Sequence, residues 1–176
     1  MKNMKLLVTG GLGFIGSNFC RLMLKRHSDC ELVNVDKIGI GANPANLRDM
    51  KNDKRYTFLK GDICNPQLMR KLVRGMDAVV NIAAETHVDR SIVDPYSFLE
   101  NNTVGTFTVL EALRKHNDEA RLVHVSTDEV YGQALEGSFT ENTPAHPSNP
   151  YSASKAAADM FVLAYNTTYG LNASIT

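Results

Sequence analysis

"KLLVTGGLGFIGSNF", residues 5–19, runs from an apolar stretch through four glycines into a mixed apolar and polar one. Gly11, Gly13 and Gly16 satisfy G-x-G-x-x-G, and Gly10, Gly13 and Gly16 satisfy the wider G-x-x-G-x-x-G. These glycines, with Phe14 and Ile15 between the last two, separate a strand pattern at 5–10 from a helix pattern near 14–27. Glycine at such a turn serves a tight chain reversal, close approach of a pyrophosphate to backbone N–H groups, and packing of helix on strand. Asp36 follows Gly16 by twenty residues and ends the next strand pattern. A carboxylate at that point accepts hydrogen bonds from an adenosine ribose, so the pair predicts a dinucleotide. Asp36 would repel a 2′-phosphate, which favours NAD over NADP, while neighbouring Lys37 works against that preference.

Outward from this unit, short β-branched runs alternate with longer amphipathic ones. Strands are predicted at 5–10, 31–36, 56–62, 77–84, 121–127 and 172–176, and helices near 14–27, 66–74, 96–116 and 151–169. Strands that are apolar on both faces, alternating with helices, predict an α/β fold. The expectation is a Rossmann-type doubly wound parallel sheet of about six strands, helices on both faces, over one domain, 1–176. The long turn-rich segment 132–150 carries three of the six prolines and is expected to be a flap beside the site.

Composition restricts the partners. Nineteen basic residues balance nineteen acidic ones, so no overall field attracts a nucleic acid polymer or an anionic membrane. The three cysteines, Cys20, Cys30 and Cys64, lack metal-type spacing and leave an odd thiol in any disulfide scheme. That favours a reducing, cytoplasmic setting. No apolar stretch approaches the roughly 18 residues of a membrane span, and the first residues do not form an export signal. On that ground the Asn-x-Ser/Thr triplets at Asn101, Asn166 and Asn172 are chance matches.

Two further stretches carry chemistry. In "PYSASKAAAD" Tyr151 and Lys155 stand four apart at the start of a helix, one turn apart on one face. A tyrosine titrates near 10, and a close ammonium would favour its phenolate, giving a base for hydroxyl oxidation. In "HVSTDEVYG", residues 124–132, a hydroxyl and the carboxylates Asp128 and Glu129 follow a strand. At the carboxyl end of a strand in a doubly wound sheet they would emerge into the ligand crevice, although capping of a turn is the plainer alternative. "HVDRS", with His87, Asp89 and Arg90, shows no metal-ligand spacing, and Arg90 is open to a structural ion pair or to a ligand. His27, His116, His124 and His146 have no assignable chemistry.

TGGLGFIGS, Asp36, the "GDI" at 61–63, "AAETHVDRS" at 83–91, "STDEVYG" and "YSASK" together resemble the extended short-chain dehydrogenase/reductase family, most closely its dTDP-glucose 4,6-dehydratases. The resemblance implies NAD-dependent oxidation of a nucleotide-activated hexose at C4, loss of water across C5 and C6, and return of hydride to C6. By the same resemblance Tyr151 is the oxidation base, Lys155 orients the nicotinamide ribose, and Thr127 bonds the C4 oxygen. Asp128 is the acid at C6 and Glu129 the base at C5. Asp62 and Ile63 are expected at the adenine, Ala83, Ala84 and Thr86 along the cofactor, and Asn102 near the lysine. Thr86, His87, Thr127, Asp128 and Glu129 are expected to meet the sugar nucleotide. No metal is implied. Other enzymes of this fold, an epimerase or decarboxylase, or an NAD-binding module without turnover, stay open, and the Asp128–Glu129 pair separates dehydratase from epimerase. Family members carry roughly as much chain again, so a substrate lobe is expected to be missing here. The helices 96–116 and 151–169 show more apolar surface than one sheet face covers, and in the family such a pair builds a four-helix homodimer contact.

Overall fold

The computed structural model describes residues 3–134 and 137–176. Its strands are β1 (Met4–Thr9), β2 (Cys30–Asp36), β3 (Tyr56–Lys60), β4 (Ala78–Asn81), β5 (Arg121–His124) and β6 (Ala173–Ile175). They form one six-stranded sheet in the order β3-β2-β1-β4-β5-β6, every pair parallel. Consecutive residues of β1 supply opposite faces. Leu7 joins a core with Val79, Leu110, Leu113, Leu122 and Val162. Leu6 and Val8 join a second with Cys20, Leu24, Leu32 and Leu47. Both faces are thus apolar, which is why the strand shows no polar alternation. Truncating a fully buried member such as Leu113 to Ala would cost about 2–5 kcal/mol.

The helices are α1 (Phe14–Arg26), α2 (Pro66–Leu72), α3 (Val88–Val93), α4 (Pro95–Phe98), α5 (Gly105–His116) and α6 (Pro150–Tyr169). Local sequence sets the ends of α6. Asn149 and Ser152 form a reciprocal capping box, Pro150 opens the first turn, and Gly170, at φ 69°, closes the helix in the left-handed region. The expected single helix over 96–116 is α4 and α5 joined by a π-helical stretch, Leu99–Val104. This wider turn carries three consecutive buried polar residues, Asn101, Asn102 and Thr103.

Among the expected strands that end early are two at the crevice. β4 stops at Asn81 and β5 at His124, and the residues that follow, Ile82–Thr86 and Val125–Thr127, leave the sheet at its carboxyl edge. The short α3 and the 3-10 turns Pro44–Met50 and Asp128–Tyr131 were not expected from periodicity, being too short to show one. Strand order reverses between β1 and β4, and the crevice opens there. Of the expected flap, residues 135 and 136 lie outside the described residues; His146 N–H donates to the Val130 carbonyl at 2.9 Å and draws the segment's far end back to the site. Among the described residues no helix is long and apolar enough to cross a membrane, and no cluster of metal-ligating side chains forms.

Candidate active site

The glycine turn is built by contact as much as by conformation. Gly10 has φ 71°, and a Cβ there would stand 2.6 Å from Ala83 Cα, so the turn packs directly on the chain leaving β4. Gly13 differs, since a Cβ would meet only the Gly10 carbonyl oxygen, at 3.4 Å. Its bareness is not demanded by the protein's own packing and leaves room on the cavity side. Gly13 caps α1 without a side-chain hydrogen bond, and the first turn holds no acid. The positive helix end therefore faces the crevice without a side-chain counter-charge.

That crevice is a cavity of about 360 Å³. Gly10, Gly13, Phe14, Ile15 and Gly16 line it from the turn, Asp36 and Lys37 from the end of β2, and Asp62 and Ile63 from beyond β3. Ala83, Ala84 and Thr86 line it from beyond β4. The Asp36 carboxylate is fixed by backbone, accepting from Leu12 N at 3.0 Å and from Ile38 N at 2.8 Å. The second bond accompanies an unusual conformation, Ile38 at φ 61°, which a β-branched residue adopts only at a cost of about 1–2 kcal/mol. Lys37 is turned to Glu85, its Nζ 3.3 Å from Oε1, and also bonds Asn101 Oδ1. Glu85 and Asn101 line the same cavity, and Glu85 was not singled out by sequence for chemistry.

A second constellation sits where β5 ends. Thr127 caps the turn Asp128–Tyr131 by accepting from Glu129 N at 3.3 Å. The strand's continuation is therefore a 3-10 turn, and Asp128 and Glu129 occupy its first residues outside the core. Asp128 is exposed and Glu129 half-buried, its Oε2 accepting from Asn149 Nδ2 at 3.3 Å. The Thr127 side chain stands beside the Tyr151 phenol, whose ring lies edge-on to Phe98 at 6.2 Å. Thr127, Glu129 and Tyr151 thus meet, although 22 residues part Glu129 from Tyr151 in sequence.

One electrostatic expectation is corrected. Burial raises the Tyr151 phenol above its ordinary value, the Thr127 hydroxyl opposes this, and the Glu129 and Asp128 carboxylates add to the rise. Lys155 is not among the groups that lower it; its buried ammonium donates to the Val125 carbonyl at 2.7 Å. Burial also pushes Lys155 down to about 8, with Asp159 resisting.

Behind Lys155 runs a buried polar chain that fixes a tautomer. Thr9 Oγ1 accepts from Ile82 N and Ala83 N, both at 3.2 Å, so its hydrogen goes to Asn81 Oδ1 at 2.6 Å. Asn81 Nδ2 then faces His124 Nδ1 at 3.1 Å, making that nitrogen an acceptor and leaving the ring proton on Nε2. Nε2 lies 3.4 Å from Asp159 Oδ1, while Ser126 Oγ donates to Asp159 Oδ2 at 2.5 Å. Burial pushes His124 down to about 3, with the Lys155 charge adding to the effect. No role for His124 was readable in the sequence; the available signal was Asp159, one more helical turn along the face that carries Tyr151 and Lys155.

Asn102 lies behind the cavity wall instead of lining it. Fully buried, it accepts from Glu85 N at 2.7 Å and donates to Glu85 O at 3.0 Å and Ser154 Oγ at 2.9 Å. It therefore staples the cavity wall to α6. His87 is exposed at φ 94°, just before α3 and off the cavity lining. Thr127, Asp128, Glu129, Tyr151 and Lys155 also stand outside that lining. Arg90 is in an ion pair, Nη1 at 3.3 Å from Glu85 Oε2.

With this geometry in place, residues 7–176 match the model of the GDP-mannose 4,6 dehydratase family. The chain belongs to that family. Among GDP-mannose 4,6 dehydratase family relatives, dTDP-glucose 4,6-dehydratase of Mycobacterium tuberculosis is 46% identical over 177 residues, a match covering 98% of this chain and 52% of that one. The solved dTDP-glucose 4,6-dehydratase of Streptomyces venezuelae, with NAD bound, superposes at a TM-score of 0.94 with 46% identity, covering 98% of this chain and 54% of that one. UDP-glucose 4-epimerase of Brucella ovis, also solved with NAD, gives 0.86 at 27% identity, covering 98% and 50%. The resemblance to the extended short-chain dehydrogenase/reductase family drawn from the sequence is met by these findings, as is the six-stranded doubly wound fold. The chain spans about half the length of the curated relatives it matches.

Proposed function

We propose that the protein to which this chain belongs dehydrates a nucleotide-activated hexose, dTDP-glucose first among candidates, to its 4-keto-6-deoxy form with NAD as cofactor. The observation that carries this is the meeting of Thr127, Glu129 and Tyr151 with exposed Asp128 at the carboxyl edge of the sheet. Epimerases share the fold, yet their reaction has no use for a pair of adjacent carboxylates.

The cavity suits a dinucleotide. Gly13 leaves space at a helix end with no capping side chain, where a pyrophosphate is attracted, and Asp36 presents a fixed carboxylate at the place of an adenosine ribose. NAD, when bound, supplies the hydride acceptor and donor. The protein's own groups do the proton work. Tyr151 takes the C4 hydroxyl proton while Thr127 holds the C4 oxygen, and Lys155 steadies the nicotinamide ribose. The C4 ketone acidifies C5, Glu129 removes the C5 proton, and Asp128 protonates the leaving C6 hydroxyl, so that one water departs. Glu129 is half-buried and oriented by Asn149, whereas Asp128 is exposed at the edge of the crevice.

Thr86 and His87 complete the sugar-nucleotide side. The assembly proposed is a homodimer through α5 and α6, and the setting is cytoplasmic, in keeping with three free thiols. Incubating the chain, and a form spanning the full length of the relatives, with NAD and dTDP-glucose tests the activity. A 4-keto-6-deoxy product from the longer form is expected, and a C4 epimer in its place would transfer the protein to the epimerases.

A further inference from the structure

We propose that Glu85 decides which dinucleotide the cavity accepts, by holding Lys37 off the position that a 2′-phosphate would take beside Asp36. The inference rests on the dinucleotide reading of the cavity.

A lysine next to the ribose-binding carboxylate is a natural partner for a 2′-phosphate, because its flexible stem lets the ammonium seek an anion. Here the ammonium is already engaged. Nζ lies 3.3 Å from Glu85 Oε1 and bonds Asn101 Oδ1, and Glu85 is only 7% exposed, so the attraction is weakly screened. Glu85 cannot follow the lysine outward. Asn102 grips its backbone on both sides, at 2.7 Å through N–H and 3.0 Å through the carbonyl, and Arg90 holds its other oxygen at 3.3 Å. The chain after β2 closes over the pair: a Cβ on Gly39 would come 3.0 Å from Lys37 Cε and 3.4 Å from Glu85 Oε1.

A 2′-phosphate entering beside Asp36 would therefore meet a carboxylate fixed by Leu12 N and Ile38 N with no mobile cation to offset it. Drawing Lys37 across would strip a buried carboxylate of one of its two cations, and that loss is comparable to the attraction between lysine and phosphate. Discrimination is shared between Asp36, which the fingerprint shows, and Glu85, which arrives from beyond β4 and can be found only in the fold.

Calorimetric titration of the chain with NAD and with NADP tests this, read as the ratio of the two dissociation constants. Glu85→Gln keeps the shape and removes the charge. It should bring the NADP constant toward the NAD constant by about tenfold, the effect of one charge-assisted hydrogen bond. Adding Lys37→Met should restore the wild-type ratio. A ratio unmoved by Glu85→Gln, or one that stays narrowed after the lysine is gone, overturns the proposal. If Glu85→Gln does not fold by circular dichroism, Asp36→Ser with and without Lys37→Met decides the matter. A lysine held by Glu85 can be removed from Asp36→Ser without widening the ratio, whereas a tenfold widening would show that it already reaches the phosphate. A wild-type chain that binds neither dinucleotide sinks the cavity reading itself, and this inference with it.

Discussion

A proton on His124 would enter a ring with no exposed surface, 3.5 Å from the Lys155 ammonium, and could be stabilised only by Asp159. The folded ring titrates at about 3 against an ordinary 6.5, so the unfolded chain takes up this proton first as pH falls. Its contribution to stability is whole above pH 6.5 and drains away down to about 3, by at most ~1.4 kcal/mol per pH unit. Nitrogen-detected NMR should show an Nε2–H tautomer that does not titrate above pH 4; a charged ring at pH 6 would refute the tautomer assignment. At the same scale, Tyr151 and Glu129 carry separate steps. In a form long enough to hold substrate, Tyr151→Phe should prevent formation of NADH, whereas Glu129→Gln should let bound NADH and a 4-keto hexose accumulate in a single turnover. Each should lower the overall rate about 10²- to 10⁴-fold. Equal loss of NADH formation in both would assign Glu129 to binding or oxidation instead.

Among elements, the π-helical stretch between α4 and α5 does the most positioning. Asn101 reaches Lys37 and Asn102 reaches Glu85 and Ser154, while Thr103 Oγ1 donates to the Ser154 carbonyl at 2.9 Å. One turn thus ties the cavity wall to the helix bearing Tyr151 and Lys155. Asn102→Ala would leave the backbone N–H and carbonyl of Glu85 buried without those partners, a loss of about 2–4 kcal/mol from unmade hydrogen bonds. Urea unfolding should show that drop, and an effect under about 0.5 kcal/mol would mean that water replaces the amide. Asn102→Asp should not restore it, since the second carboxylate oxygen would replace the donor that faces the Glu85 carbonyl oxygen at 3.0 Å and would bury an unpaired charge.

For the whole molecule, α5 and α6 carry the face of the proposed homodimer. Phe107 and Phe161 pack edge-to-face at 5.6 Å, yet remain 38% and 39% exposed, with Met160 at 52% and Leu163 at 51% beside them on α6. Contiguous apolar surface of this kind is costly in water and is covered when a second copy presents the same face about a two-fold axis. Light scattering at micromolar concentration should give twice the chain mass, and Leu163→Glu should halve it; a monomeric wild type would count against the homodimer.

The alternation of strand and helix, the glycine turn and the spacing of Asp36 and of Tyr151 with Lys155 are short-range patterns. Burial on both faces of β1 and the 3.6-residue period of α6 print directly into the order of residues, so the sheet class and the turn that lines the cavity were legible there. The junctions were not. Whether β5 runs to Thr127 or yields to a 3-10 turn depends on Asn149, the cap of α6, and Tyr151 in its first turn. The direction of the Lys155 ammonium depends on the Val125 carbonyl, and the engagement of Lys37 on Glu85, 48 residues away in the chain. Asn102 was expected near the lysine by resemblance alone; that its amide also holds both backbone groups of Glu85 appears only in the fold. Local spacing determines which faces a segment buries. Hydrogen bonds and charges buried between segments act only after those faces have packed, so tertiary structure alone decided the partner of each ionised group.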